Sequence, residues 1–165
     1  MSRLKELAKL GQSPWYDNIS RNMIDSGELK RLIDEDGLRG VTSNPSIFDK
    51  AISGSSDYDG AITRALAVGK KDAEEIFELL AVADIADACD ALKGVHKDSG
   101  GADGFVSLEV SPCLARDTKG TVAAGKRLAK AVGRPNLMIK VPATQEGLPA
   151  ITELLAAGVS VYVTL

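Results

Sequence analysis

Leu137-Met138-Ile139-Lys140-Val141-Pro142 puts Leu137, Ile139 and Val141 on one face of an extended chain and Met138, Lys140 and Pro142 on the other. This alternation predicts a strand with one apolar face. Upstream, Phe105 to Val110 repeats it, with Val106, Leu108 and Val110 opposed to Ser107 and Glu109. Downstream, Val159, Val161, Val163 and Leu165 oppose Ser160, Tyr162 and Thr164. Helical segments separate these strands: Thr118 to Val132, stopped by Gly133, and Gly147 to Ala157, stopped by Gly158, with Pro149 tolerated in the first turn. Strands alternating with helices predict βαβ units and a parallel sheet. A central strand of an open α/β sheet is apolar on both faces, and these strands are not. The apolar face therefore packs on helices and the polar face lines a barrel interior. The last polar residues then stand at the C-terminal mouth, where TIM-barrel active sites lie.

The rest of the chain extends the pattern. Ser2 to Leu10 reads as a short helix capped by Ser2 and stopped by Gly11; Pro14 to Ile19 reads as a strand. Ser26 can cap a helix carrying Leu29, Leu32 and Ile33 on one face and ended by Gly37. Gly40 to Ser43 is a second strand; Tyr58 to Val68 and Asp72 to Leu92 are helices. Residues 1–165 thus read as the N-terminal part of one domain. A TIM barrel takes eight strands and typically about 250 residues. The expected fold is α/β, an incomplete (β/α)8 TIM barrel with strands one to five and their helices, the chain ending within or just after the fifth.

Composition narrows the function. There are 20 Lys and Arg against 23 Asp and Glu, a net charge of −3. This balance offers no footprint for nucleic acid or an anionic membrane. No apolar run reaches the roughly 20 residues that cross a bilayer, and Ser2 to Leu7 is not a signal-peptide stretch. Cys89 and Cys113 are the only cysteines and form no CxxC pair. A disulfide framework or structural zinc is not expected, and a cytoplasmic location is.

The period-2 rule brings five polar residues toward the predicted mouth: Asp17, Asn44, Glu109, Lys140 and Thr164. A lysine among Met138, Ile139, Val141 and Pro142 is poorly solvated, which favours the free amine that attacks carbonyls. An imine formed there withdraws electrons and permits cleavage of a carbon–carbon bond. Glu109 or Asp17 can supply the acid/base. Two carboxylates and a lysine suit aldol chemistry without a metal. The same residues are also consistent with a buried Lys140–Glu109 ion pair of purely structural role.

Four segments carry a family resemblance. Gly40-Val41-Thr42-Ser43-Asn44-Pro45-Ser46-Ile47-Phe48 resembles the N-terminal signature of transaldolases. Ile139-Lys140-Val141-Pro142-Ala143-Thr144, followed by Glu146-Gly147, is similar to the signature around the family's Schiff-base lysine. Val106 to Val110 resembles the segment with the catalytic glutamate, and Pro14 to Asp17 the first strand with its aspartate. The likeness covers essentially the whole chain, in family order. It looks most like the longer bacterial transaldolases, some of which are fused to glucose-6-phosphate isomerase.

The resemblance implies that Lys140 attacks the C2 carbonyl of a ketose phosphate such as sedoheptulose 7-phosphate. Asp17 would take the C4 hydroxyl proton as C3–C4 breaks. Glu109 would move protons through a water that Thr164 helps to hold, and Asn44 would bind hydroxyls of the dihydroxyacetone unit. That unit would pass to glyceraldehyde 3-phosphate, in the pentose phosphate pathway, with no metal or organic cofactor. A homo-oligomer of the complete enzyme is compatible with the likeness. The alternatives are a Schiff-base aldolase of the same family and a non-catalytic transaldolase fragment. Tyr162 stands where the family usually has asparagine, so that hydroxyl-binding role is not carried over. The family's phosphate-binding arginines lie in later strands, so the 165 residues alone are expected to be weakly active or inactive.

Other signals read as structural. Asp84, Asp87 and Asp90 recur every third residue, expected as a solvated helix face rather than a metal stripe. Ser99-Gly100-Gly101-Ala102-Asp103-Gly104 is a weak phosphate-loop match at the barrel bottom. His96 is expected to be solvated, Cys113 a small apolar filler and Trp15 a packing residue.

Overall fold

A computed structural model describes residues 2–70 and 72–165. Five strands form one sheet in the order β1-β2-β3-β4-β5, every neighbouring pair parallel. They are β1 (Trp15–Tyr16), β2 (Gly40–Val41), β3 (Phe105–Glu109), β4 (Leu137–Pro142) and β5 (Val161–Thr164). Sequential order with parallel pairing is the start of a (β/α) barrel, as expected, and not the reordered sheet of a doubly wound fold.

The register confirms the two faces. Val41 pairs with Val106, Val106 with Leu137, and Ile139 with Val161. These residues pack outward on helices, and Val41, Val106, Ile139 and Val141 are fully buried. The alternate residues Trp15, Gly40, Ser107, Glu109, Met138, Lys140, Tyr162 and Thr164 share the inner face. The outer layer is α6 (Ala73–Asp98) and α7 (Thr118–Val132), which lay Ile85, Cys89, Leu92, Leu128 and Val132 on the sheet, and α8 (Gly147–Ala156), which adds Leu154. Burying a side chain of this size contributes roughly 1.5–3 kcal/mol, and these contacts hold the strands that carry the inner face.

Helix ends follow their capping residues. Ser2 caps α1 (Arg3–Lys9), accepting from Leu4 N–H, and Asp117 caps α7, accepting from Gly120 N–H. Two helices were not expected. Ser20 caps α2 (Arg21–Asp25), accepting from Met23 N–H at 3.2 Å. Asn44 caps α4 (Pro45–Ser53), with Pro45 in the first turn.

Several boundaries differ from expectation. Ser26 does not start a helix but ends α2; Gly27, at φ 80°, turns the chain into α3 (Glu28–Arg31). That helix loosens into a π-helical stretch, Leu32–Asp36, before Gly37 stops it. The helix from Tyr58 is α5 (Asp59–Ala67). Helix α6 runs well past Leu92, because Gly94 lies on an open face and stops nothing; Gly100 and Gly101, at φ 65° and 85°, do. The first two strands are only two residues long, and Arg39 N–H to Pro14 O and Thr42 N–H to Tyr16 O bracket their ladder.

Three side chains depart from their expected roles. Asp84 is not solvated: it is 1% exposed and accepts from Arg21 Nε and Nη2 at 3.0 and 2.7 Å and from the Tyr58 hydroxyl at 2.8 Å. Burial pushes its carboxyl above the usual range, with Arg21 and Tyr58 pulling the other way. The triad joins the start of α2 to α6 because a buried carboxylate must find such partners. Asp87 and Asp90 do lie exposed, Asp90 paired with Arg134. His96 is half-buried, with Nδ1 2.7 Å from Asp103 O and its ring edge-on to Phe105 at 4.9 Å. Cys113 is exposed rather than a filler, since Pro112–Leu114 forms a single 3-10 turn outside the packed layer.

Candidate active site

Lys140 and Glu109 are cross-strand partners in the β3–β4 register, both on the inner face. Lys140 is 9% exposed, and its Nζ lies 3.3 Å from Glu109 Oε2. The amine also approaches Ser43 O at 3.5 Å and the Tyr162 ring at 5.9 Å to the centroid. Tyr162 is Lys140's partner on β5. The amine thus stands between a carboxylate on one strand and an aromatic face on the next, at the outer limit of cation–π attraction.

Asp17 follows β1 and is exposed at the same end of the sheet. Thr42, 8% exposed at the end of β2, donates its hydroxyl to Asp17 Oδ1 at 2.6 Å. Asn44 is half-buried and spends its Oδ1 on Ile47 N–H, at 2.9 Å, as the α4 cap. Thr164 ends β5 opposite Pro142, and its carbonyl accepts from Ala143 N–H at 2.7 Å. Of the five expected residues, only Lys140 and Glu109 touch directly. Hydrogen bonds link neither Asn44 nor Thr164 to Lys140 among the described residues.

Sequence reading missed the residues that hold these groups. Ser43 and Ser107, both 0% exposed, are joined by two bonds that Ser43 donates: Ser43 Oγ to Ser107 O at 2.7 Å, and Ser43 N–H toward Ser107 Oγ at 3.4 Å. Ser107 had a legible signal, since it shares the polar face with Glu109. Trp15 packs as expected: it lies 5.8 Å from Tyr162, with Nε1 donating to Ser13 Oγ. A Cβ on Gly40 would stand 2.3 Å from the indole, so only glycine lets Trp15 lie across β2. The loop after β4 is held by structural bonds: Thr144 Oγ1 donates to Ala115 O at 2.6 Å and accepts from Gly147 N–H at 2.9 Å. Among the described residues no group of three His, Cys, Asp or Glu is placed to hold a metal ion.

A parallel sheet in sequential strand order, wrapped by helices and with a buried lysine beside a carboxylate at its strand ends, defines the class as a partial (β/α)-barrel protein. Residues 14–165 match the family model described as Transaldolase/Fructose-6-phosphate aldolase, and the chain belongs to that family. It is 49% identical over 164 residues to a protein named Transaldolase from Trichodesmium erythraeum, covering 99% of this chain and 43% of that protein. It is 48% identical to a Transaldolase from Thiobacillus denitrificans, covering 100% of this chain and 46% of the other. A Transaldolase 2 from Streptomyces avermitilis is 49% identical, with 98% and 43% covered. The chain spans under half the length of these relatives. No helix among the described residues is long and apolar enough to cross a membrane.

Proposed function

We propose that this chain carries the nucleophilic half of a transaldolase site, with Lys140 forming the Schiff base. The observation that supports it most is the buried Lys140 amine 3.3 Å from Glu109 on the inner face. The Lys140 nitrogen adds to the C2 carbonyl of a ketose phosphate, and loss of water gives an imine. Glu109 lies where it can protonate the departing hydroxyl directly or through a water that Thr164 helps to hold. Asp17 then takes the C4 hydroxyl proton. The C3–C4 bond breaks, its electron pair flows into the imine, and an aldehyde leaves. The remaining three-carbon unit attacks the carbonyl of an acceptor aldehyde, and water returns the amine. Asn44, with Oδ1 engaged as a helix cap, retains its amide N–H groups for hydroxyls of the three-carbon unit. Sedoheptulose 7-phosphate is the donor, glyceraldehyde 3-phosphate the acceptor, and the location is cytoplasmic.

The relatives' names, Transaldolase and Transaldolase 2, favour transfer over release of the three-carbon unit to water. The test is acceptor dependence in the complete polypeptide. Donor consumption is expected only when an acceptor aldehyde is present, and Lys140→Ala should abolish it. Equal donor cleavage without acceptor would make the protein an aldolase. Full turnover by Lys140→Ala would remove the Schiff base from the account.

A further inference from the structure

We infer that Ser43 and Ser107 form a positioning clamp that sets the Lys140 amine for carbonyl attack; this rests on the Schiff-base reading above. Regular pairing of β2 with β3 ends at Val41 and Val106. Beyond it, main-chain ladder bonds give way to side chains. Ser43 Oγ donates to Ser107 O at 2.7 Å, and Ser43 N–H reaches toward Ser107 Oγ at 3.4 Å. Both serines are fully buried, so no water competes for these bonds.

The clamp fixes where the Ser43 carbonyl points, and it points at Lys140 Nζ from 3.5 Å. A long lysine side chain has many rotamers. Glu109, on β3, holds the amine by one oxygen. The carbonyl, on β2, supplies a second and uncharged acceptor. Two acceptors on different strands fix a direction as well as a distance. Nucleophilic attack depends on that direction, and small misplacements lower the rate steeply. The residues flanking Ser43 are engaged at the same place: Thr42 donates to Asp17 Oδ1 at 2.6 Å, and Asn44 caps α4. Stitching Ser43 to β3 therefore anchors the segment that also orients the second carboxylate. Neither serine need touch substrate.

The experiment is borohydride trapping of fructose 6-phosphate on the complete polypeptide, with the Lys140 adduct followed by mass spectrometry over time and ketose concentration. Ser43→Ala is expected to lower the maximal trapping rate roughly tenfold and to leave the half-saturating concentration unchanged. Ser43→Thr, which keeps the hydroxyl, should recover most of the rate. Ser107→Ala, which spares the 2.7 Å bond, should lose less, and it replaces Ser43→Ala if circular dichroism shows that variant unfolded. A lowered melting temperature with an unchanged trapping rate would overturn the inference, leaving the serines as packing only. So would a change confined to half-saturation. No adduct in the unsubstituted protein would instead overturn the Schiff-base reading, and the clamp's role with it.

Discussion

Replacing Asp84 by alanine should cost the folded chain about 3–5 kcal/mol, the range for breaking a buried ion pair. The carboxylate is 1% exposed and takes three bonds, two from Arg21 and one from Tyr58. Its removal leaves the Tyr58 hydroxyl proton without its acceptor in a residue that is 0% exposed. The Arg21 side chain is 19% exposed and regains some water, which keeps the cost at the lower end of that range. A chain of this size loses about 2 kcal/mol of stability per molar urea, so the midpoint should fall by roughly 1.5–2 M. Urea unfolding followed by circular dichroism reads this out. Tyr58→Phe should cost less, about 1–3 kcal/mol. It removes the donor to Asp84 and the acceptor of Arg21 N–H, at 3.0 Å, but leaves the ion pair. A midpoint shift under roughly 0.5 M for Asp84→Ala would show that the triad does not hold α2 to α6.

Three further outcomes can be checked separately. A native chain should show one reactive thiol at pH 8, Cys113, and two in denaturant, because burial pushes Cys89 up to about 12; two native thiols would contradict the packing. Gly147→Ala should lower the melting temperature sharply, since a Cβ there would lie 2.0 Å from Pro142 O; an unchanged melt would mean that the β4–α8 loop yields freely. Residues 1–165 expressed alone should self-associate and transfer little, because β1 and β5 are unpaired edges and Val163 is 52% exposed. A soluble monomer in ultracentrifugation with full transfer activity would refute that.

The fold was legible where periodicity ran long. β3, β4, α7 and α8 lie within a residue or so of expectation, because their apolar faces are uninterrupted and glycine marks the helix ends. β1 and β2 were overextended, since a two-residue ladder is set by its neighbours and leaves no pattern of its own. Helix α4 was missed although Asn44-Pro45 is a cap followed by a first-turn proline, a readable signal. Asp84 was misjudged because an aspartate every third residue gives no hint of an arginine 63 positions away in sequence. For the candidate site, alternation along β3 and β4 correctly placed Glu109 beside Lys140. The Ser43–Ser107 bonds and the Thr42 contact were not legible, since they depend on how β2 leaves the sheet.

Reduction of the complete polypeptide with borohydride in the presence of fructose 6-phosphate, followed by peptide mapping, tests the central claim most directly. A reduced three-carbon or ketose adduct should appear on the peptide containing Lys140, and it should vanish in Lys140→Ala. Glu109→Ala should form the same adduct more slowly, by roughly 100- to 10,000-fold. An adduct on a different lysine, or none at all in folded protein, would mean that the buried Lys140–Glu109 pair is a structural ion pair and not a catalytic one.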